Sequence, residues 1–405
     1  MTKRRRYIQS LLACLAGTAL TACGSSLNPG NTQATGSGSS GGSSTSSYAC
    51  TAGTPTSTRF LLVAGFGDNS LARYSINADG TLQPLDCSPY PAAAGYAQPT
   101  GLAYDAASNL LFTSNYTSNT VTSFQINSNG TFTSAAGSPY AAGMNPWAVT
   151  TDTGDHYAYV ANGASPGPQS ISGYSINGSN GALSPIAVTA GANGESFALA
   201  TDPVASYLYA ANYLPTDTVS AYSINPATGG LQWIGDYPAG GAYPRSIVVD
   251  PQGKFVYLAN TDRSGDQCGA GAPVGNTITG FSIGAGGALT EVGSYASGLA
   301  PQALAVGTSS GQEYLYSANY CSDDISIYTI GASGALTPAG TPAQEPVQSG
   351  PHGMTLTPDG LLYVANYLGN SVNAFRVGSN GLLSVIGAYA GPENASAAVA
   401  TGNLP

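Results

Sequence analysis

Side chains able to do acid–base or nucleophilic chemistry are scarce in this sequence. Its 405 residues include 2 His, 10 Lys and Arg, and 20 Asp and Glu, so only 7% are charged. No Ser, His and Asp follow the order of a hydrolase with a nucleophile elbow, and there is no phosphate loop and no Asp-rich calcium loop. The Cys spacings fit no zinc motif, and neither a metal nor a cofactor is expected. What remains is a sparse group: Glu195, Arg245, Asp262, Arg263, Asp266, His352 and Glu393. Arg245 and His352 each follow a Pro that opens an apolar run, and with Asp262 they are the candidates for catalysis. A cation can hold an anionic group, and an imidazole or carboxyl can move a proton. An isolated His is more often structural, so both roles stay open for His352. Acidic residues outnumber basic ones and form no basic stripe, which excludes nucleic acid as a partner.

The elements that must position these residues follow from a repeat. An aromatic residue or Leu, two small or apolar residues and an Asn recur as Leu-Phe-Thr-Ser-Asn115, Tyr-Val-Ala-Asn162, Tyr-Ala-Ala-Asn212, Tyr-Leu-Ala-Asn260, Tyr-Ser-Ala-Asn319 and Tyr-Val-Ala-Asn366. Leu-Leu-Val-Ala-Gly65 is a degenerate first copy, and the intervals are 50, 47, 50, 48, 59 and 47 residues. Each copy is preceded by Pro or Ser and an apolar run. Each is followed by an alternating Val-Ser-x-Tyr-Ser-Ile type of segment and then Asn-Gly or Gly-Gly. Alternation with period two marks half-buried strands, and Asn-Gly marks a hairpin. Four short strands repeated seven times predict an all-β, seven-bladed β-propeller over residues 59–402. Residues 393–401 read as an opening strand without a blade, and Arg59–Gly65 as a second strand without its opener. The C-terminal strand is therefore expected to join the N-terminal blade and close the ring.

The anchors sit where the second strand ends, on the face shared with the loops that precede the inner strands; this face is called the top. Asn115, Asn212, Asn319 and Asn366 either cap their loops or form a polar ring around the channel. Tyr116, Tyr213, Tyr320 and Tyr367 follow them directly. Their rings either wedge between blades or make an aromatic rim for a sugar or peptide. Glu195 and Arg263 join them as candidate ligand contacts. The longest interval inserts a loop after Asn260 that contains Cys268. A disulfide from Cys268 to Cys321 is preferred, leaving Cys50 with Cys87.

The first 22 residues read as a signal peptide. Lys3, Arg4, Arg5 and Arg6 precede an apolar stretch too short to span a bilayer, which ends in Leu-Thr-Ala-Cys23. Those residues resemble a bacterial lipobox, which implies lipidation of Cys23, a membrane anchor, and export to the outer membrane. Residues 23–58 read as a lipidated Cys and a flexible Ser/Gly/Thr tether. Removing the four basic residues of the signal leaves 6 against 20 acidic ones, 6 − 20 = −14.

The blade pattern resembles the lactonase family of seven-bladed propellers, which includes the propeller type of 6-phosphogluconolactonase, and the related YVTN-repeat propellers. The residues that carry the resemblance run from Pro244-Arg-Ser-Ile-Val-Val to Tyr-Leu-Ala-Asn260 and from Pro351-His-Gly-Met-Thr-Leu to Tyr-Val-Ala-Asn366. The family's enzymes resemble Pro-Arg-His in the first segment and end its next strand in Asn-Glu. This chain matches at Arg245 but carries Ser246 in place of the His and Thr261 in place of the Glu. The resemblance implies two functions: a binding module using a Tyr/Asn-rich top face, or a lactonase-like hydrolase acting through Arg245 and His352. A glycan, a small lactone or a protein is the expected ligand, and a monomer is expected.

Overall fold

The computed structural model describes residues 57–85, 90–92, 97–164, 170–188, 194–261, 268, 275–339 and 349–404. Seven antiparallel sheets follow one another along the chain. The inner strands are Pro99–Asp105, Pro146–Thr151, Glu195–Thr201, Pro244–Val249, Pro301–Ser309, Pro351–Leu356 and Ala395–Ala400. Each packs beside the next, and the last packs beside the first, so they form a closed ring. Blade one is assembled from both ends of the chain. Ala395–Ala400 pairs antiparallel with Phe60–Gly65, and Thr401 N donates to Phe60 O at 2.8 Å. This is the closure expected from the sequence, and it removes the free edge that an open ring would expose.

The Tyr-x-x-Asn motif is explained by two hydrogen bonds pointing in different directions. Each hairpin between the third and outer strands turns on a Gly of positive φ: Gly80, Gly130, Gly181, Gly229, Gly287, Gly334 and Gly381. That turn packs against the preceding blade, where its carbonyl needs a donor. In five interfaces the motif Tyr supplies it. Tyr159 donates to Gly229 O at 2.7 Å, Tyr209 to Gly287 O at 3.2 Å, and Tyr257 to Gly334 O at 2.9 Å. Tyr316 donates to Gly381 O at 2.8 Å, and Tyr363 to Gly80 O at 3.0 Å across the ring closure.

The two blades that lack this Tyr find another donor. Phe112 holds the position in blade two, and its cross-strand partner Ser123 donates to Gly181 O at 2.7 Å. Leu62 holds it in blade one, and its cross-strand partner Arg73 donates to Gly130 O. Arg73 is only 2% exposed, and its guanidinium lies over Tyr90 and Phe132. All seven interfaces thus place a buried donor on the turn carbonyl.

The Asn of the motif ties its own blade together. Asn115 Nδ2 donates to Thr120 and Thr122, Asn212 Nδ2 to Thr218 and Ser220, and Asn366 Nδ2 to Ser371 and Asn373. Asn319 Nδ2 reaches Asp324 and Ser326 in the same way. All four are 0% exposed. The expected polar ring of Asn115, Asn212, Asn319 and Asn366 is therefore corrected. Their amides pin the second strand to the third beneath the surface and offer nothing to a ligand.

On the bottom face, turns after the inner strands are capped by carboxylates. Asp250 Oδ1, for example, accepts from Lys254 N at 2.6 Å and Phe255 N at 2.5 Å. That turn of blade five carries Gly253, with a φ of 65°, where an added Cβ would meet Asp202 Oδ1 of blade four at 2.5 Å. The matching residue of blade three is Asp155, with a φ of 53°, and its carboxyl reaches the fully buried Asp105 of blade two. Burial first, and then the Asp105 charge, push Asp155 up to about 6. His156 lies beside it on this face with its side chain 75% exposed.

Two outcomes follow. Replacing Tyr257 by Phe leaves the Gly334 carbonyl without its donor and should cost about 1–3 kcal/mol in a urea titration; an unchanged midpoint would contradict the latch. For Asp155 the folded value is raised, so its contribution is present below the ordinary carboxylate range and lost as pH rises through about 6. Thermal melts should therefore favour Asp155→Asn over the parent at about pH 8 but not at about pH 4. A difference independent of pH would disprove the carboxyl pairing.

Candidate functional site

Every inner strand carries one extra residue where it begins. Opposite the second strand the register jumps between Pro99 and Gly101, Pro146 and Ala148, Ser196 and Ala198, Pro244 and Ser246, Pro301 and Ala303, and Pro351 and Gly353. The same jump falls between Ala395 and Ala397 in the closing strand. The bulged residues are Thr100, Trp147, Phe197, Arg245, Gln302, His352 and Ser396, one per blade at the same level of the top mouth. A bulge re-aims a side chain out of the strand's alternation, so this single position decides what the mouth presents.

The residue after each anchor forms a second tier. Phe66, Tyr116, Tyr213, Tyr320 and Tyr367 occupy it in five blades, Gly163 in blade three and Thr261 in blade five. The two tiers interlock into an aromatic belt. Ring centroids are 6.2 Å apart for Tyr320 and His352, 5.3 Å for His352 and Tyr367, and 6.1 Å for Tyr367 and Phe66. The series continues through Phe66 and Tyr116 at 6.0 Å, Tyr116 and Trp147 at 4.9 Å, and Trp147 stacked on Phe197 at 4.3 Å. It ends with Phe197 and Tyr213 at 4.9 Å and Tyr213 and Tyr243 at 4.4 Å. The indole of Trp147 occupies the place that a Cβ on Gly163 would need. The Gly thus admits the largest ring of the belt. Among the described residues the belt is interrupted between blades five and six, where Thr261 and Gln302 stand.

Few charges enter this surface. The Arg245 guanidinium lies 4.4 Å from the Phe197 ring and 5.7 Å from Tyr213, leaning back toward blade four. Among the described residues no carboxylate pairs with it. His352 leans the other way: its Nδ1 lies 2.9 Å from Ser396 O of blade one. A carbonyl only accepts, so the Nδ1 carries the proton and Nε2 is the basic nitrogen. Glu195 is half-buried, and burial raises its carboxyl. The Tyr116 hydroxyl is raised by burial and then by the Glu195 charge, which sets Glu195 beside the belt.

The expected site residues divide as follows. Tyr116, Tyr213 and Tyr367 are half-buried members of the belt, whereas Tyr320 is 3% exposed and is corrected to a packing residue beneath it. Arg245 and His352 share the ring of bulges but point to opposite neighbours. Asp262, Arg263 and Asp266 lie outside the described residues, as do Cys23, Cys50 and Cys87. Cys268 and Cys321 form the preferred disulfide, with Cα atoms 5.2 Å apart. Trp147, Phe197, Gln302, Phe66 and Tyr243 were missed. The residue following each inner-strand Pro or Ser, read down the seven repeats, would have exposed the first three.

Residues 214–265 and 270–392 match the model of the lactonase, seven-bladed β-propeller family. The chain is a seven-bladed β-propeller, and its second half is similar to that family. A 6-phosphogluconolactonase candidate from Bacteroides fragilis shares 21% identity with it, over 85% of this chain and 98% of the other, with a TM-score of 0.67. The periplasmic gluconolactonase of Pseudomonas aeruginosa shares 16% identity, over 85% and 99%, with a TM-score of 0.64. At such identities the likeness is one of fold. No curated protein matches the sequence. In this propeller the two positions that depart from the motif of that family's enzymes are occupied structurally. Ser246 Oγ accepts from Leu304 N at 3.1 Å, and Thr261 Oγ1 donates to Pro301 O at 2.8 Å. Both hydroxyls tie blade five to blade six.

Replacing Gly163 by Ala should drive the Trp147 indole out of the belt, with loss of its near-ultraviolet circular dichroism and a destabilisation of about 1–3 kcal/mol. An unaltered Trp147 signal would show that the glycine does not set the ring's place.

Proposed function

We propose that this propeller is a binding module whose top mouth receives a carbohydrate on its aromatic belt. The observation that carries the reading is the unbroken series of ring contacts from Tyr320 to Tyr243, in which His352, Tyr367, Tyr116, Trp147, Tyr213 and Tyr243 are half-buried and Tyr320, Phe66 and Phe197 are buried behind them. Flat apolar faces with polar edges suit sugar rings, and rings held by their neighbours lose little entropy on binding. A hydrolase would need its acid–base group and its cation to converge on one carbonyl. Arg245 and His352 lean toward blades four and one, and the positions equivalent to the enzymes' His and Glu are spent on blade-to-blade hydrogen bonds. The signal peptide, the lipobox-like Cys23 and the tether add to this proposal an exported, membrane-anchored monomer.

The lactone-hydrolase reading retains one favourable feature, the basic Nε2 of His352. A glycan array probed with the purified protein, alongside a panel of neutral lactones, separates the two. Glycan binding that weakens by at least about tenfold in Trp147→Ala, with no lactone turnover, is the expected result. Lactone turnover abolished by both Arg245→Ala and His352→Ala would overturn it.

A further inference from the structure

In six blades the residue just before the inner-strand Pro or Ala is left-handed. Gln98, Asn145, Tyr243, Ala300, Gly350 and Asn394 have φ values of 52°, 50°, 56°, 55°, 71° and 52°. Blade four differs. There Glu195 is itself the first strand residue, and it pairs with Leu214 of a second strand that runs two residues past its anchor. The other six second strands end at the anchor. Ser196 pairs with Asn212, so Tyr213 is bulged between two rungs. Blade four thus stands one rung higher at the mouth, and Glu195 is that rung.

Glu195 is half-buried, and among the described residues no donor or cation pairs with its carboxylate. Burial is the sole cause that raises it. Its charge in turn raises the hydroxyl of Tyr116, two blades away. Trp147 fills the place between, stacked on Phe197 and 4.9 Å from Tyr116. Arg245 also lies over Phe197, at 4.4 Å. The indole and the guanidinium cannot share one face, so Phe197 separates Arg245 from the side of the mouth that holds Trp147, Tyr116 and the Glu195 charge.

That side joins an accessible carboxylate to half-buried aromatic rings, and both attract the same kind of ligand. A carboxylate pairs with an ammonium, and an aromatic face draws a cation through its quadrupole. The formal net charge of −10 adds a long-range field that also favours cations. A neutral sugar covering this side would desolvate the carboxylate without pairing it.

We propose that Glu195 is a specificity-determining residue that selects a glycan bearing a free amino group, its carboxylate pairing with the ammonium beside Trp147 and Tyr116. This rests on the carbohydrate reading above. The belt supplies affinity for a pyranose, and Glu195 distinguishes an amine from a hydroxyl or an acetamide at the same carbon.

The test measures affinities of the purified protein and of Glu195→Gln for oligosaccharides of glucosamine, of N-acetylglucosamine and of glucose. It is run at about pH 7, where an amine and a carboxylate are both largely charged. The parent should favour the glucosamine series by about fivefold to tenfold at low salt, the worth of one ion pair with a cation–π contact. That preference should shrink at about 1 M salt, where charges are screened within a few ångströms. Glu195→Gln should melt no lower than the parent and bind the three series within about twofold of each other. Equal binding of the three series by the parent, or a preference that survives in Glu195→Gln, overturns the proposal and leaves the carbohydrate reading intact. Binding of no series by either protein would remove the carbohydrate reading and this inference with it.

Discussion

Seven carbonyls control the geometry of this molecule. Each belongs to the left-handed Gly of a hairpin turn that packs into the preceding blade, and each meets a buried donor there. Without one, the interface would hold an unsatisfied polar group in an otherwise apolar seam, at a cost comparable to a whole hydrogen bond. The solution is chemically redundant but positionally strict. Five blades use the Tyr of the second strand, and the two that lack it use the residue directly across the ladder, Ser123 or Arg73. Opposite the tyrosines stand Gly173, Ala221, Gly280, Ile327 and Ala374, none of which brings a competing polar group. The low charge of the chain follows from this scheme, because hydroxyls and amides hold its blades together.

These latches set how closely neighbouring blades approach, and that spacing makes the mouth. The bulge at the start of each inner strand then lifts one residue out of the alternating pattern. The blade latches and most of the rim occupy different residues as a result, with Thr100, Ser396 and Thr261 serving in both. The Tyr and Asn of the motif lie beneath the surface and hold the blades, while the residue after the Pro and the residue after the Asn compose the rim. Trp147 over Gly163 shows the two tiers exchanging bulk within one blade, and Gln302 beside Thr261 shows where both tiers turn polar.

Much of the fold was legible because anchors, hairpin glycines and period-two runs recur at near-constant spacing. Even the strand exchange at residues 393–401 could be read from an opener left over at one end. The site was less legible for three physical reasons. A bulge breaks period two, so Arg245 and His352 looked like isolated ions when they are two places in a seven-membered ring. The partner of each motif Tyr lies in the next blade and leaves no local trace. Asn115 and its equivalents looked like rim residues because polar side chains at strand ends usually face water, but here the third strand carries a Thr, Ser, Asp or Asn to receive them. Tyr320 was misplaced because an aromatic residue after the anchor serves equally as a rim or as a wedge.

The central claim is that ligands enter the top mouth and touch its aromatic belt. The chain has 2 Trp residues, Trp147 in the belt and Trp233 exposed on the outer strand of blade four. Replacing Trp233 by Phe leaves Trp147 as the only indole, and its emission can be followed while oligosaccharides are titrated and calorimetry reports binding. A saturable change in Trp147 emission with the same midpoint as the heat is the predicted result. Heat of binding with an unchanged Trp147 spectrum would contradict the account, because the ligand would then sit away from the belt.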